Sequence, residues 1–154
     1  TFAPFGSTFY KFHSSFERYS LKSEIESTKI NTVQSAALSF LNAPYLWGGK
    51  TIYGIDCSGF TQVVFKVFGI TLKRDAAQQV NQGESIDFES LRENDLAFFS
   101  NSKGHVIHVG IILNNSKIIH ASGKIRIDEL NSKGIYNTET SKLTHTLHSI
   151  RRYI

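Results

Sequence analysis

The chain has 154 residues, 40% of them hydrophobic and 19% charged, with a formal net charge of +4 and one cysteine. Those numbers exclude a disordered chain and an intramolecular disulfide, and they fit one domain burying roughly 70% of its unfolded surface. No apolar run reaches the roughly 20 residues of a membrane span. The basic residues are scattered, with Arg151-Arg152 the one Arg-Arg pair, so a solvated basic surface is expected and no nucleic-acid partner. No methionine is present, which predicts a chain processed or cut from something longer, with an export signal already lost.

Residues 1–30 are crowded with aromatics: Phe2, Phe5, Phe9, Tyr10, Phe12, Phe16 and Tyr19. Pro4, Gly6 and the Ser/Thr content argue for an extended hairpin packed on the main domain, or the tail of a preceding small β-domain. From residue 31 the period becomes helical. Val33, Ala36, Ala37 and Phe40 predict a helix from Thr32 to Asn42, capped by Asn31 or Thr32 and stopped by Pro44. A glycine-punctuated loop follows over residues 45–54. A second helix is expected from Cys57 through Phe60, Val63, Val64 and Val67 to Gly69, and a short one from Ala76 to Gln82. Strands follow at 95–100, 106–113, 117–121, 124–127 and 147–153. Helices first and an antiparallel sheet afterwards give an α+β fold, with helices packed on a central sheet.

That order places Cys57 at a helix N-terminus, where unpaired N–H groups and the helix dipole favour a thiolate. Asp56 is positioned to cap the helix, Gly59 to permit close approach, and the Cys57 N–H to donate to an oxyanion. A thiolate also needs a base, and the base needs an orienting group. Of six histidines, His13 lies in the aromatic segment, and His145 and His148 lie near the far end without glycine punctuation. His105 and His108 are three apart and face opposite ways on one strand. His108 shares a face with Val106, Gly110 and Ile112, and His120 ends the next strand.

Whether His108 and His120 meet depends on the connection between their strands. A two-residue loop at residues 115 and 116 puts them on opposite faces. A three-residue loop, or a bulge, makes them diagonal neighbours about 7–8 Å apart at Cα. A lone cysteine is more often a small buried hydrophobe than a nucleophile, and a histidine in an apolar strand is more often a satisfied core residue. No metal-ligand spacing is present, so no metal and no cofactor are expected.

The neighbourhood decides between these readings. Pro44-Tyr45-Leu46-Trp47-Gly48-Gly49, Gly54-Ile55-Asp56-Cys57-Ser58-Gly59-Phe60, Leu72-Lys73-Arg74-Asp75-Ala76-Ala77-Gln78-Gln79, Asp95-Leu96-Ala97-Phe98-Phe99, His108-Val109-Gly110-Ile111 and Ile119-His120-Ala121-Ser122 stand in one order. From about residue 31 onward this series closely resembles the NlpC/P60 family of papain-like cysteine peptidases, which cut peptidoglycan stem peptides. The resemblance implies Cys57 as nucleophile, His108 as base, His120 as orienting residue, and Tyr45 as a hydroxyl beside the oxyanion. The stretch from His120 to Asp128 is most similar to γ-D-glutamyl-L-diamino-acid endopeptidases of the dipeptidyl-peptidase VI type. There an SH3-like domain precedes the catalytic one, and the free amine of L-Ala-γ-D-Glu is held by acidic and tyrosine groups. Tyr45, Trp47, Asp56, Ser58 and Asp75 match that subsite, and a carboxylate beside the thiol suits an ammonium better than it suits thiolate activation.

A complete SH3-like domain is absent, and only residues 1–30 stand where its tail would be. The usual proline-glycine before the Asp95-Leu96 strand is replaced by Glu93-Asn94, a role asparagine fills conformationally. The resemblance therefore implies a domain at 31–154 hydrolysing the γ-D-Glu–diamino-acid bond, with diaminopimelate or lysine at the second position. Its partner is a murein peptide with free N-terminal L-Ala. The expected setting is the bacterial envelope, or secretion, or cytoplasmic recycling, and the expected state is a monomer. The alternatives are an inactive wall-binding module and a papain-like amidase or acyltransferase on another amide.

Overall fold

The computed structural model describes residues 31–154, except position 115, together with two short strands, β1 (Phe9–Tyr10) and β2 (Arg18–Tyr19). β1 and β2 pair antiparallel, as a hairpin would. The packing of residues 1–30 and their origin in an SH3-like domain lie outside the described residues.

Helix α1 (Val33–Leu38) begins at Thr32, whose hydroxyl accepts the Ser35 N–H at 3.1 Å while Ser35 Oγ accepts the Thr32 N–H at 3.1 Å. This reciprocal pair satisfies two N–H groups that the first turn leaves orphaned. The helix stops at Leu38 rather than Asn42. Asn42 turns to φ 68° and donates to Ile125 O, and Ile125 N donates to Ala43 O, so the chain is drawn off the helix axis onto a strand.

Helix α2 (Cys57–Val67) starts where Asp56, in extended conformation, accepts the Gly59 N–H at 2.6 Å. It ends in a Schellman motif: Gly69 (φ 81°) donates to Lys66 O and Ile70 to Phe65 O. Its buried side chains include Phe60, Val63 and Val64, with Phe60 edge-on to Phe40 at 5.8 Å. The single turn α3 (Ala76–Gln79) is tied to α2 through buried Gln79. Its amide donates to Ser58 O and Lys73 O and accepts from Thr61 Oγ1.

The connection before α2 carries a small hairpin of β3 (Lys50–Thr51) and β4 (Gly54–Ile55). The remaining strands are β5 (Glu84–Ile86), β6 (Leu96–Ser100), β7 (Val106–Asn114), β8 (Lys117–Ser122), β9 (Lys124–Asn131), β10 (Gly134–Asn137) and β11 (Lys142–Arg152). They form one antiparallel sheet in the order β10-β9-β8-β7-β6-β11-β5. β10 also pairs with β11, which closes six strands into a small barrel with β5 on its rim. The 11-residue β11 pairs with β10, β6 and β5, and its ladder with β6 carries an irregularity between Leu147 and Ser149, the kind of local kink that lets a sheet curl shut. β9 and β11 run longer than their apolar pattern predicts, because barrel pairing extends strands past their hydrophobic core.

Strand alternation divides the core in two. Leu96, Phe98, Val109, Ile111, Ile119 and Ile125 lie with the α1 and α2 side chains, whereas Phe99, Ile112, Ile118, Leu130, Ile135 and Ile150 fill the other side. Asn94, at φ 73° with its N–H on Ile112 O, holds the left-handed position before β6. Among the described residues no helix is long and apolar enough to cross a membrane.

Candidate active site

Cys57 is the first residue of α2 and is buried. Its thiol lies against the backbone N–H groups of Val109 and Ser58, one residue along the chain from His108. Burial pushes the thiol up, the Val109 N–H pulls the other way, and the Asp56 carboxylate adds to the rise. His108 is held well below the ordinary histidine range, first by burial and then by its neighbours His120 and His145. Burial thus opposes the charged form of both groups, against the pull toward a thiolate that the helix start supplies.

The histidines meet through the sheet register. Gly110 pairs with His120, Ile112 with Ile118, and Asn114 with Lys117. Two residues separate the last pair, yet Leu113 is bulged out, and that extra residue restores the register a three-residue loop would give. His108 and His120 thus share one face as diagonal neighbours, and His108 Nε2 lies 2.8 Å from His120 Nδ1. Gly110 makes room for this. A Cβ there would lie 2.9 Å from His120 Cβ and 2.8 Å from Ile118 Cδ1.

The chain of contacts continues past His120. Its Nε2 lies 3.0 Å from Asp128 Oδ2 on β9. Asp128 is 1% exposed, and its Oδ1 accepts from the Thr138 N–H, the Thr138 hydroxyl and Arg126 Nη2. Burial acts to raise the Asp128 carboxyl, but the His120, Thr138 and Arg126 bonds outweigh it and hold the group ionised.

His145 on β11, set aside on sequence grounds, belongs here. Its ring stacks on His108 with centroids 4.2 Å apart and 26° between planes. Burial lowers it to about 4, helped by the neighbouring His120. Ring nitrogens of His108, His120 and His145 lie within 4.8 Å of one another, close enough to raise the question of a metal. Both His120 nitrogens are already engaged, and one faces His108 at 2.8 Å. The arrangement is that of a hydrogen-bonded relay, and a metal would have to break it.

On the other side of the thiol, Asp56 is saturated. Its carboxylate accepts from the Gly48 and Gly59 N–H groups, from Ser58 Oγ, and from both terminal nitrogens of Arg74. Burial works against ionisation, but the Arg74 bond and the two backbone donors hold the group below the usual carboxylate range. Ser58 Oγ is also bound by Arg74 Nη1 at 2.9 Å. Tyr45 is exposed; burial first, then the Cys57 and Asp56 charges, raise its hydroxyl. Trp47 is 84% exposed and Asp75 is exposed.

The profile of the NlpC/P60 family matches residues 42–144, more than half of the chain. The chain belongs to the NlpC/P60 family. The domain is 35% identical over 121 residues to a γ-D-glutamyl-L-lysine dipeptidyl-peptidase of Bacillus cereus, covering 75% of this chain and 36% of that protein. It is 37% identical over 101 residues to the like-named protein of Bacillus subtilis, covering 64% and 34%. An NlpC/P60 family protein from Bacillus cereus, known as a crystal structure, superposes with a TM-score of 0.68 at 33% identity over 79% of this chain and 39% of the other. This chain spans about a third of the length of these relatives.

The NlpC/P60 domain brings His108 and His120 into contact, one residue along the chain from the Val109 N–H that faces the Cys57 thiol, with Tyr45 near enough to feel the Cys57 and Asp56 charges. It gives Asp56 and Ser58 to Arg74 rather than leaving them open to a ligand. The sequence reasoning missed Arg74, Asp128 and His145. Asp128 was within reach: residues 120 and 126 are equidistant from Gly123, so a tight turn there pairs His120 with Arg126 and puts Asp128 diagonal to it. His145 carried no such signal, because its place depends on barrel closure.

Proposed function

We propose that this domain is a papain-like cysteine peptidase that hydrolyses the γ-D-Glu–diamino-acid amide of peptidoglycan stem peptides. The observation that carries the reading is the relay from His108 through His120 to Asp128, next along the chain to the Val109 N–H that faces the Cys57 thiol. The names of the Bacillus relatives support the bond and the substrate class.

In the first step Cys57 Sγ attacks the γ-carbonyl carbon as its proton passes to His108 Nδ1, the ring nitrogen not bonded to His120. The carbonyl oxygen takes the electron pair and is held by the Cys57 N–H and the Tyr45 hydroxyl. His108 returns the proton to the leaving amine, the C–N bond breaks, and a γ-glutamyl thioester remains. Water, deprotonated by His108, then releases the L-Ala-D-Glu dipeptide and restores the thiol. Burial opposes charge on both groups, and His108 acts here as a general base. For the substrate ammonium, exposed Asp75 is the available carboxylate, with Trp47 as a wall and the Arg74-bound Asp56 and Ser58 shaping the floor. The division at residue 30, with an SH3-like tail before it, belongs to the same proposal, as does an envelope or secreted setting.

The test is chromatography of products from the defined tripeptide L-Ala-γ-D-Glu-L-Lys and its diaminopimelate counterpart. Wild type is expected to release L-Ala-D-Glu, and Cys57→Ala to release none while keeping the wild-type circular dichroism spectrum. Turnover retained in Cys57→Ala would overturn the mechanism.

A further inference from the structure

Hydrogen-bond roles along the relay are fixed from its far end. An ionised Asp128 accepts, so in a neutral His120 the ring proton sits at Nε2. His120 Nδ1 is then an acceptor, and His108 Nε2 must donate to it. That leaves His108 Nδ1 without a proton, as a base toward the thiol requires. We propose that Asp128, clamped by Arg126 and Thr138, is a positioning residue that sets the tautomers of both histidines and so determines that His108 is a base. This rests on the reading of Cys57 and His108 as nucleophile and base.

The clamp makes the inference specific. Oδ1 is held by two donors that cannot reverse, the Thr138 backbone N–H at 3.0 Å and Arg126 Nη2 at 3.1 Å. At Oδ2, Arg126 Nε lies 2.8 Å away without hydrogen-bond alignment, and His120 is the aligned partner. In Asp128→Asn the amide oxygen therefore takes the Oδ1 position, and the NH2 faces His120. His120 Nε2 must then accept, its proton moves to Nδ1, and His108 accepts at Nε2 and carries its proton on Nδ1. One isosteric change thus turns the base into a donor facing the thiol. Asp128→Ala removes the dictating group and leaves His120 free to take either tautomer.

The experiment is nitrogen-15 NMR of the histidine rings in the full chain, paired with turnover of the tripeptide. Wild type is expected to show His108 and His120 both protonated at Nε2, and Asp128→Asn both at Nδ1. Turnover by Asp128→Asn should fall about 10³–10⁴-fold with KM unchanged, the scale of a base held in the wrong tautomer, and further than that of Asp128→Ala. A role confined to stability would reverse that ranking, because the isostere would be the milder change. A wild-type His120 protonated at Nδ1 overturns the proposal without any variant, and so does an Asp128→Asn chain with unchanged tautomers. Wild-type tautomers as assigned, in a protein with no turnover, support the placement and sink the peptidase reading alone.

Discussion

Gly110→Ala separates the stability of the barrel from the alignment of its relay. The added Cβ would stand 2.8 Å from Ile118 Cδ1 and 2.9 Å from His120 Cβ, against about 3.5–4.0 Å for carbon atoms at rest. His120 must therefore retreat by at least about 0.6 Å, enough to stretch its 2.8 Å contact with His108 out of good hydrogen-bond range. Overpacking costs about 1–3 kcal/mol, and replacing glycine returns about 0.4–1 kcal/mol through the unfolded chain. The net loss, at most about 2.6 kcal/mol, corresponds to a Tm lower by up to about 10 °C. Displacement of the orienting residue should cost about 10²-fold in kcat. Thermal circular dichroism and tripeptide turnover read the two effects separately. Adding Ile118→Val removes the Cδ1 atom and should recover part of the Tm but none of the rate. Wild-type turnover in Gly110→Ala, or recovery of rate by Ile118→Val, would refute the argument that Gly110 serves the relay.

His145 titrates near 4 in the folded chain and near 6.5 when unfolded. Between those values the unfolded chain takes up a proton that the folded one refuses, so stability is full above pH 6.5 and falls as the pH drops toward 4. Urea midpoints at pH 7 and pH 4.5 should show this, with a smaller drop in His145→Phe, which keeps a ring stacked on His108. Because His108 is depressed in the same direction, the acid limb of kcat/KM should lie below pH 6.5; a limb above it would contradict a neutral resting base. Arg74→Gln leaves buried Asp56 without its cation. The expected loss in urea unfolding is about 2–3 kcal/mol, below the usual figure for a buried pair because Arg74 is one-third exposed. Adding Asp56→Asn should restore most of it, and an additive double-mutant cycle would show that the pair does not couple.

The helices α1 and α2, the cap at Asp56 and the core positions of β6, β7 and β8 were legible because each rests on local rules. Thr32 and Asp56 cap with their own side chains, Gly69 ends α2 by its own conformation, and alternating apolar residues mark a strand facing a core. The strands that were missed or cut short, β3, β4, β5, β10 and the ends of β9 and β11, have a different origin. They are polar or short, and they exist because a neighbouring strand supplies hydrogen-bond partners. The partnership of His108 with His120 was legible only as a condition on the loop, and the bulge at Leu113 met that condition by another route.

By itself the sequence determined which residue carries the thiol and that it begins a helix, which follow from capping within a few residues, while His108 and His120 were singled out by the resemblance of the ordered motifs to the NlpC/P60 family. Tertiary structure decided the electrostatics and the reach of the site. Burial works against charge on Cys57 and His108, where the helix start alone argued for a thiolate. Arg74 crossed from the loop before α3 to claim Asp56 and Ser58, and barrel closure delivered His145 and brought the clamp on Asp128 into line. Desolvation and charge pairing depend on what packs around a group from distant parts of the chain, and no local pattern records that.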